Sequence, residues 1–97
     1  MTSFNKLSPA EAERLALLAE ECAEVVQVVS KILRHGYEKY NPCHHFRRAN
    51  RLLLEDELGD VMYAIRIMCN NKDIDAAHLD RAADVKAKSV AKYLHHQ

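Results

Sequence analysis

Glycine and proline are scarce, at two each in 97 residues. So few turn-formers cannot supply the repeated tight turns of an all-β chain. Tryptophan is absent, and the three cysteines, Cys22, Cys43 and Cys69, are an odd number with none of the paired spacings that hold zinc. Two of them fall inside helical patterns, so they read as reduced thiols of a cytoplasmic protein, with Cys22 and Cys69 as small core residues. Neither sign of charge dominates: 14 Lys and Arg face 14 Asp and Glu. That balance offers nothing to draw the chain to nucleic acid or to an anionic membrane. No apolar run approaches the ~20 residues that cross a bilayer, and the opening MTSFNKLSPAEAER has no apolar signal core.

What is present is apolar and helical. Hydrophobic residues make up 48% of the chain, enough to exclude disorder, and the length fits one domain over residues 1–97. A domain of this size buries only a little over ~60% of its unfolded surface, so self-association is a common route to stability. Ser8-Pro9-Ala10-Glu11 has the form of a capping box with proline at the first helical position. The pattern then runs unbroken to Gly36, where Lys31, Arg34 and His35 occupy the last turn. A second helix is expected from about Asn50 to Cys69. After the turn Asn70–Asp73, a third begins at the N-cap Asp75 and reaches about Leu94. Between the first two, GYEKYNPCHHFRRA keeps no period and reads as a loop. The fold class is therefore all-α, with three helices per subunit.

Each of the first two helices carries a clean apolar seam: Leu15, Leu18, Cys22, Val25, Val29 and Ile32 on one, Leu54, Leu58, Val61, Ile65 and Met68 on the other. Beside each seam lies a stripe that is apolar at its ends and acidic in its middle. On the first helix it is Leu17, Glu21, Glu24, Val28, and on the second Leu53, Glu57, Asp60, Ala64, Ile67. Glu20 sits at the outer edge of the first stripe. Residues three apart on a helix project side by side. Helices packed by these faces would gather Glu21, Glu24, Glu57 and Asp60. A single such pair is ordinarily a solvated face. Two pairs on successive helices, each bracketed by apolar residues, point instead to a carboxylate cluster that needs compensating charge. A hard divalent cation, Mg²⁺ or Mn²⁺, is the simplest source.

Redox iron is disfavoured, because helical di-iron sites use Glu-x-x-His pairs and no glutamate here has histidine three residues on. Magnesium held by carboxylates keeps positions open for substrate phosphates. A phosphate needs cations, and two lysines are candidates: Lys86 in the third helix and Lys31, one turn past Val28 on the first acidic stripe. For each the alternative is a solvated lysine.

The strings EECAE (Glu20–Glu24) and ELGD (Glu57–Asp60) fit E-E-x-x-E and E-x-x-D. Together they resemble the signature of the all-α nucleoside triphosphate pyrophosphohydrolases, the MazG-like superfamily. The wider stretches LAEECAEVVQVVSKILRHG and LLEDELGDVMYAI look most like its small phage-type members. The resemblance implies a helical-bundle oligomer, dimer or tetramer. It implies Mg²⁺-dependent hydrolysis of a (deoxy)nucleoside triphosphate between its α- and β-phosphates, giving monophosphate and pyrophosphate for nucleotide-pool control. It assigns Glu21, Glu24, Glu57 and Asp60 as metal ligands. Glu20 would serve a second ion or orient the attacking water, a catalytic role. Phosphoribosyl-ATP is an alternative substrate, and a non-enzymatic helical interaction module is the alternative of another class.

The segment between the motifs is longer than in compact relatives and reads as a lid or base-recognition loop. Tyr37, Tyr40 and Phe46 could stack on a base, His35, Asn41, His44 and His45 could read its edges, and Arg47 and Arg48 could hold phosphate. No base-recognising residue is singled out. Cys43-His44-His45 lacks the distant partners that a zinc site needs.

Overall fold

The computed structural model describes residues 4–40 and 48–97. Three helices follow one another: α1 (Pro9–His35), α2 (Asn50–Asn70) and α3 (Ala76–Val90), with a short 3₁₀ turn at Ala91–Tyr93. The only β pairing among the described residues is an isolated antiparallel bridge between Tyr40 and Ala49.

Local chemistry sets the boundaries. The Ser8 side chain accepts from the Glu11 amide at 3.1 Å, and the Glu11 carboxylate accepts from the Ser8 amide at 2.8 Å. This reciprocal box satisfies two otherwise orphaned donors at the start of α1. Gly36 ends the helix at φ 89°, a conformation strained for any residue with a Cβ, while its amide still donates to the Ile32 carbonyl. The connection to α2 is closed at its base. Asn50, buried at 5% exposure, donates from its side chain to the Gly36 carbonyl, and its amide donates to the Lys39 carbonyl. The Asp75 side chain accepts from the Ala77 amide and caps α3.

α1 and α2 form an antiparallel hairpin, and their contact is the one extensive helix–helix surface among the described residues. Val28, Ala64 and Met68 are its buried apolar side chains, with Ala64 wholly inaccessible. The small Ala64 lets the two backbones approach closely. The contact lies on the acid-bearing side. Leu17, Glu21, Glu24, Leu53, Glu57 and Ile67 are all partly buried, whereas Leu15, Cys22, Val29 and Leu58 of the clean seams are exposed. The expectation that Cys22 is a core residue is thereby corrected. It lies on the side of α1 turned away from α2, while Cys69 is half-buried.

α3 does not fold back on the hairpin. Every residue from Ala76 to Ser89 is exposed. A paired Arg14 and Asp73, both largely buried, ties the α2–α3 turn to the start of α1, with Arg14 Nη2 2.9 Å from Asp73 Oδ1. Beyond that clamp α3 is an arm. The shape reflects it: the radius of gyration is 17.0 Å, against about 13 Å for a compact chain of this length. The accessible surface is 7978 Å², against about 5,700 Å² from the scaling of surface with mass. The chain thus exposes roughly 2,300 Å² more than a self-contained fold of its size.

Ala64 offers a direct test of this packing. Ala64→Leu should destabilise the hairpin by about 1–3 kcal/mol through overpacking, read as a lower urea midpoint, whereas Ala→Leu at exposed Ala82 should leave the midpoint nearly unchanged.

Candidate metal centre

Glu21 and Glu24 lie one turn apart on α1, and Glu57 and Asp60 one turn apart on α2. The antiparallel hairpin sets the two pairs opposite each other. One carboxylate oxygen from each of the four lies within 4.8 Å of all the others. Glu21, Glu24 and Glu57 are half-buried and Asp60 is exposed, so the cluster opens to solvent on the Asp60 side. Two of the oxygens, Glu21 Oε2 and Glu57 Oε2, are buried without any hydrogen-bond partner. A buried acceptor left unsatisfied costs roughly 1–3 kcal/mol, more when charged.

The electrostatics are one-sided. The Glu57 carboxyl is pushed up to about 7, chiefly by the hydrogen bond its protonated form shares with Glu24, then by loss of water, then by the charges of Glu24, Asp60 and Glu21. Glu21 is raised by loss of water first, then by the charges of Glu24, Asp60 and Glu20. No cation is among the groups that set either shift, and among the described residues no ion pair reaches the four acids. At neutral pH the metal-free cluster therefore keeps part of its charge suppressed by a retained proton.

The donor set fits a hard divalent cation. It is entirely carboxylate oxygen, it contains two orphaned acceptors, and its charge lacks a partner. Oxygens bound to one Mg²⁺ stand at most about 4.2 Å apart, twice the ~2.1 Å bond length. The quartet, with its oxygens within 4.8 Å of one another, is close to that span.

A model of the MazG nucleotide pyrophosphohydrolase domain matches residues 10–96. The chain belongs to that family. The MazG match spans all three helices and both acidic pairs. Searches of curated proteins and of solved structures give no significant match.

The remaining candidates fall into two groups around the carboxylate quartet. Glu20 is exposed on α1 beside the cluster and acts on the charge of Glu21 without belonging to the four. Lys31 is exposed on α1, and Lys86 is exposed on the α3 arm; neither is brought to the carboxylates within this chain. At the far end of the hairpin, Arg51 stacks over the Tyr37 ring at 4.3 Å and pairs with Glu38 at 2.7 Å, while Arg48 pairs with Asp56 at 3.1 Å. Asn41, Cys43, His44, His45, Phe46 and Arg47 lie outside the described residues. The Tyr37–Arg51 stack and the Arg14–Asp73 clamp had no signal in the sequence, because their partners are 14 and 59 residues apart.

The raised Glu57 predicts a pH dependence of stability. A carboxyl whose folded value lies above its unfolded value of 4.5 binds its proton more tightly when folded. It stabilises the fold below pH 4.5, and that contribution is lost as pH rises through about 7. In the presence of chelator, the thermal midpoint should therefore fall between pH 5 and pH 8, and Glu57→Gln should flatten the decline.

Proposed function

We propose that this MazG domain is a divalent-metal-dependent nucleoside triphosphate pyrophosphohydrolase. It converts a (deoxy)nucleoside triphosphate to the monophosphate and pyrophosphate, serves nucleotide-pool control, and works as a homo-oligomer. The observation that carries this reading is the uncompensated carboxylate quartet inside the α1–α2 contact. An interaction module has no use for four repelling acids in its helix contact, whereas a metal-dependent phosphohydrolase needs them. The surface excess supports self-association, since it is of the size that obligate interfaces bury.

Glu21, Glu24, Glu57 and Asp60 would hold Mg²⁺, with Mn²⁺ as a substitute. Held there, the ion would supply positive charge to a triphosphate and a template for in-line attack. The protein's own groups divide the remaining work. Glu57, whose carboxyl is raised to about 7, would have to release its proton to serve as a ligand. Glu20, exposed at the rim, is placed to accept a hydrogen bond from the attacking water and orient it. The open Asp60 side is where the phosphates enter. The apolar ends of both stripes, Leu17 and Val28 on α1 and Leu53 and Ala64 on α2, limit water around the acids and strengthen every charge interaction there. Lys86 and Lys31 are the residues to hold non-reacting phosphate oxygens. Phosphoribosyl-ATP carries the same reacting group and is the alternative substrate. The balance of 14 Lys and Arg against 14 Asp and Glu agrees with a free nucleotide rather than a nucleic acid as ligand.

The test is product analysis. Purified protein incubated with each common NTP and dNTP should release monophosphate and pyrophosphate with Mg²⁺ and nothing with excess chelator. Glu21→Gln and Glu57→Ala should each lower kcat/KM at least ~1,000-fold, corresponding to about 4 kcal/mol of transition-state stabilisation, with unchanged helical circular dichroism. Wild-type turnover in both variants, or turnover in chelator, contradicts the assignment.

A further inference from the structure

Asp73 stands where three elements meet. Its amide donates to the Met68 carbonyl at 2.9 Å, and the Lys72 amide donates to the Cys69 carbonyl at 3.0 Å. Those two bonds form a Schellman closure of α2, with Lys72 in its left-handed position at φ 61°. A lysine is strained there, because its Cβ crowds a carbonyl that glycine would leave free. Two residues beyond Asp73, the Asp75 side chain caps α3. Only Asp73 and Ile74 therefore separate the locked end of α2 from the locked start of α3.

The side chain of Asp73 reaches α1 instead. Arg14 holds it with a two-pronged fork, Nε to Oδ2 and Nη2 to Oδ1, the second at 2.9 Å. The two side chains are 16% and 13% exposed, so water competes weakly for the pair. The hydrogen bond from Arg14 keeps the Asp73 carboxyl below its ordinary range, and the pair stays ionised at neutral pH. Among the described residues the other two ion pairs, Arg48–Asp56 and Arg51–Glu38, lie at the far end of the hairpin. The fork is thus the polar tie between the turn and α1.

Packing around the two linker residues is loose. A cavity of about 160 Å³ lies on one side, lined by Leu7, Glu11, Leu15, Met68, Asp73 and Ile74. A more open groove of about 550 Å³ lies on the other, and Asp73 and Ile74 line that as well. Ile74 is only half-buried, and every residue from Ala76 to Ser89 is exposed. Native packing leaves few voids larger than a water molecule, so apolar contact does not hold this linker as it holds the hairpin. Short linkers at element ends are where hinge motion is absorbed.

We propose that Asp73 and Ile74 form a hinge and that the Arg14–Asp73 fork is its latch. With the fork closed, α3 keeps one direction relative to the hairpin. With it open, α3 swings as a rigid helix while α1 and α2 stay paired. The Schellman closure and the Asp75 cap lie on either side of the hinge and do not use the fork, so opening it melts neither helix. The device rests on the construction of the turn and is independent of the hydrolase reading.

Residual dipolar couplings of the isotope-labelled 97-residue chain read the direction of each helix. In the wild type the amide couplings of α1, α2 and α3 should fit one alignment tensor. In Asp73→Asn and in Arg14→Gln the α3 couplings should shrink about two-fold or more, as hinge motion on the μs–ms scale averages them. Those of α1 and α2 should keep their wild-type values. The double variant Arg14→Gln/Asp73→Asn should average α3 no further than either single variant, because both remove the same latch. Arg14→Gln leaves the Schellman closure and the α3 cap untouched, so it decides the matter where Asp73→Asn disturbs the turn itself. Couplings of α3 already averaged in the wild type, or unchanged in Arg14→Gln, overturn the proposal. So does loss of the α1 and α2 couplings together with those of α3 in Arg14→Gln, which would make the fork a support of the hairpin instead of a latch.

Discussion

Mutual repulsion among four carboxylates is the constraint around which this chain is built. Glu21, Glu24, Glu57 and Asp60 occupy the middle of the extensive α1–α2 contact, where apolar side chains would stabilise the hairpin far better. Each of the two most enclosed acids leaves an oxygen buried and unpartnered. The metal-free hairpin lowers that energy by keeping a proton on Glu57 well above the usual carboxylate range. A divalent cation would do the same with more charge and would satisfy the orphaned oxygens as well. Stability is given up for an all-carboxylate donor set of the kind a hard cation takes.

That exchange leaves the single chain poorly provided with core. Among the described residues only Val28, Ala64 and Met68 are buried apolar side chains, and Leu15, Val29, Leu58 and the apolar face of α3 remain in contact with solvent. The same face of the hairpin cannot hold both the acids and a large apolar core. The outermost seam residues, Leu15, Cys22, Val29 and Leu58, therefore stay exposed, as does α3 from Ala76 to Ser89. The capping box at Ser8, the Gly36 terminus, the buried Asn50 and the Arg14–Asp73 clamp hold the hairpin and the root of the arm in register.

Much of this was legible in the sequence. The capping box, the glycine stop and the Asp75 cap are local signals, and the structure realises each of them with helix limits within a few residues. The convergence of Glu21, Glu24, Glu57 and Asp60 was also legible, since two acidic stripes at helical spacing on successive helices meet in any antiparallel hairpin. What periodicity could not decide was which of two adjacent stripes faces the partner helix. Cys22 and Leu15 look like core by spacing, yet they are exposed because the contact rotates toward Val28 and Ala64. An amphipathic pattern records that a face is covered without recording by what, so the arm-like course of α3 was hidden as well. The Arg14–Asp73 and Tyr37–Arg51 contacts join residues whose separation in sequence carries no pattern.

The central claim is that a cation replaces a proton in the carboxylate quartet. Calorimetric titration of Mn²⁺ into the nucleotide-free protein at pH 6.5, repeated in two buffers of different ionisation enthalpy, tests it most directly. The predicted result is saturable binding whose apparent enthalpy differs between the buffers, showing proton release, with the difference abolished in Glu57→Gln. Absence of saturable binding to the wild type, or binding with no proton released, would contradict it.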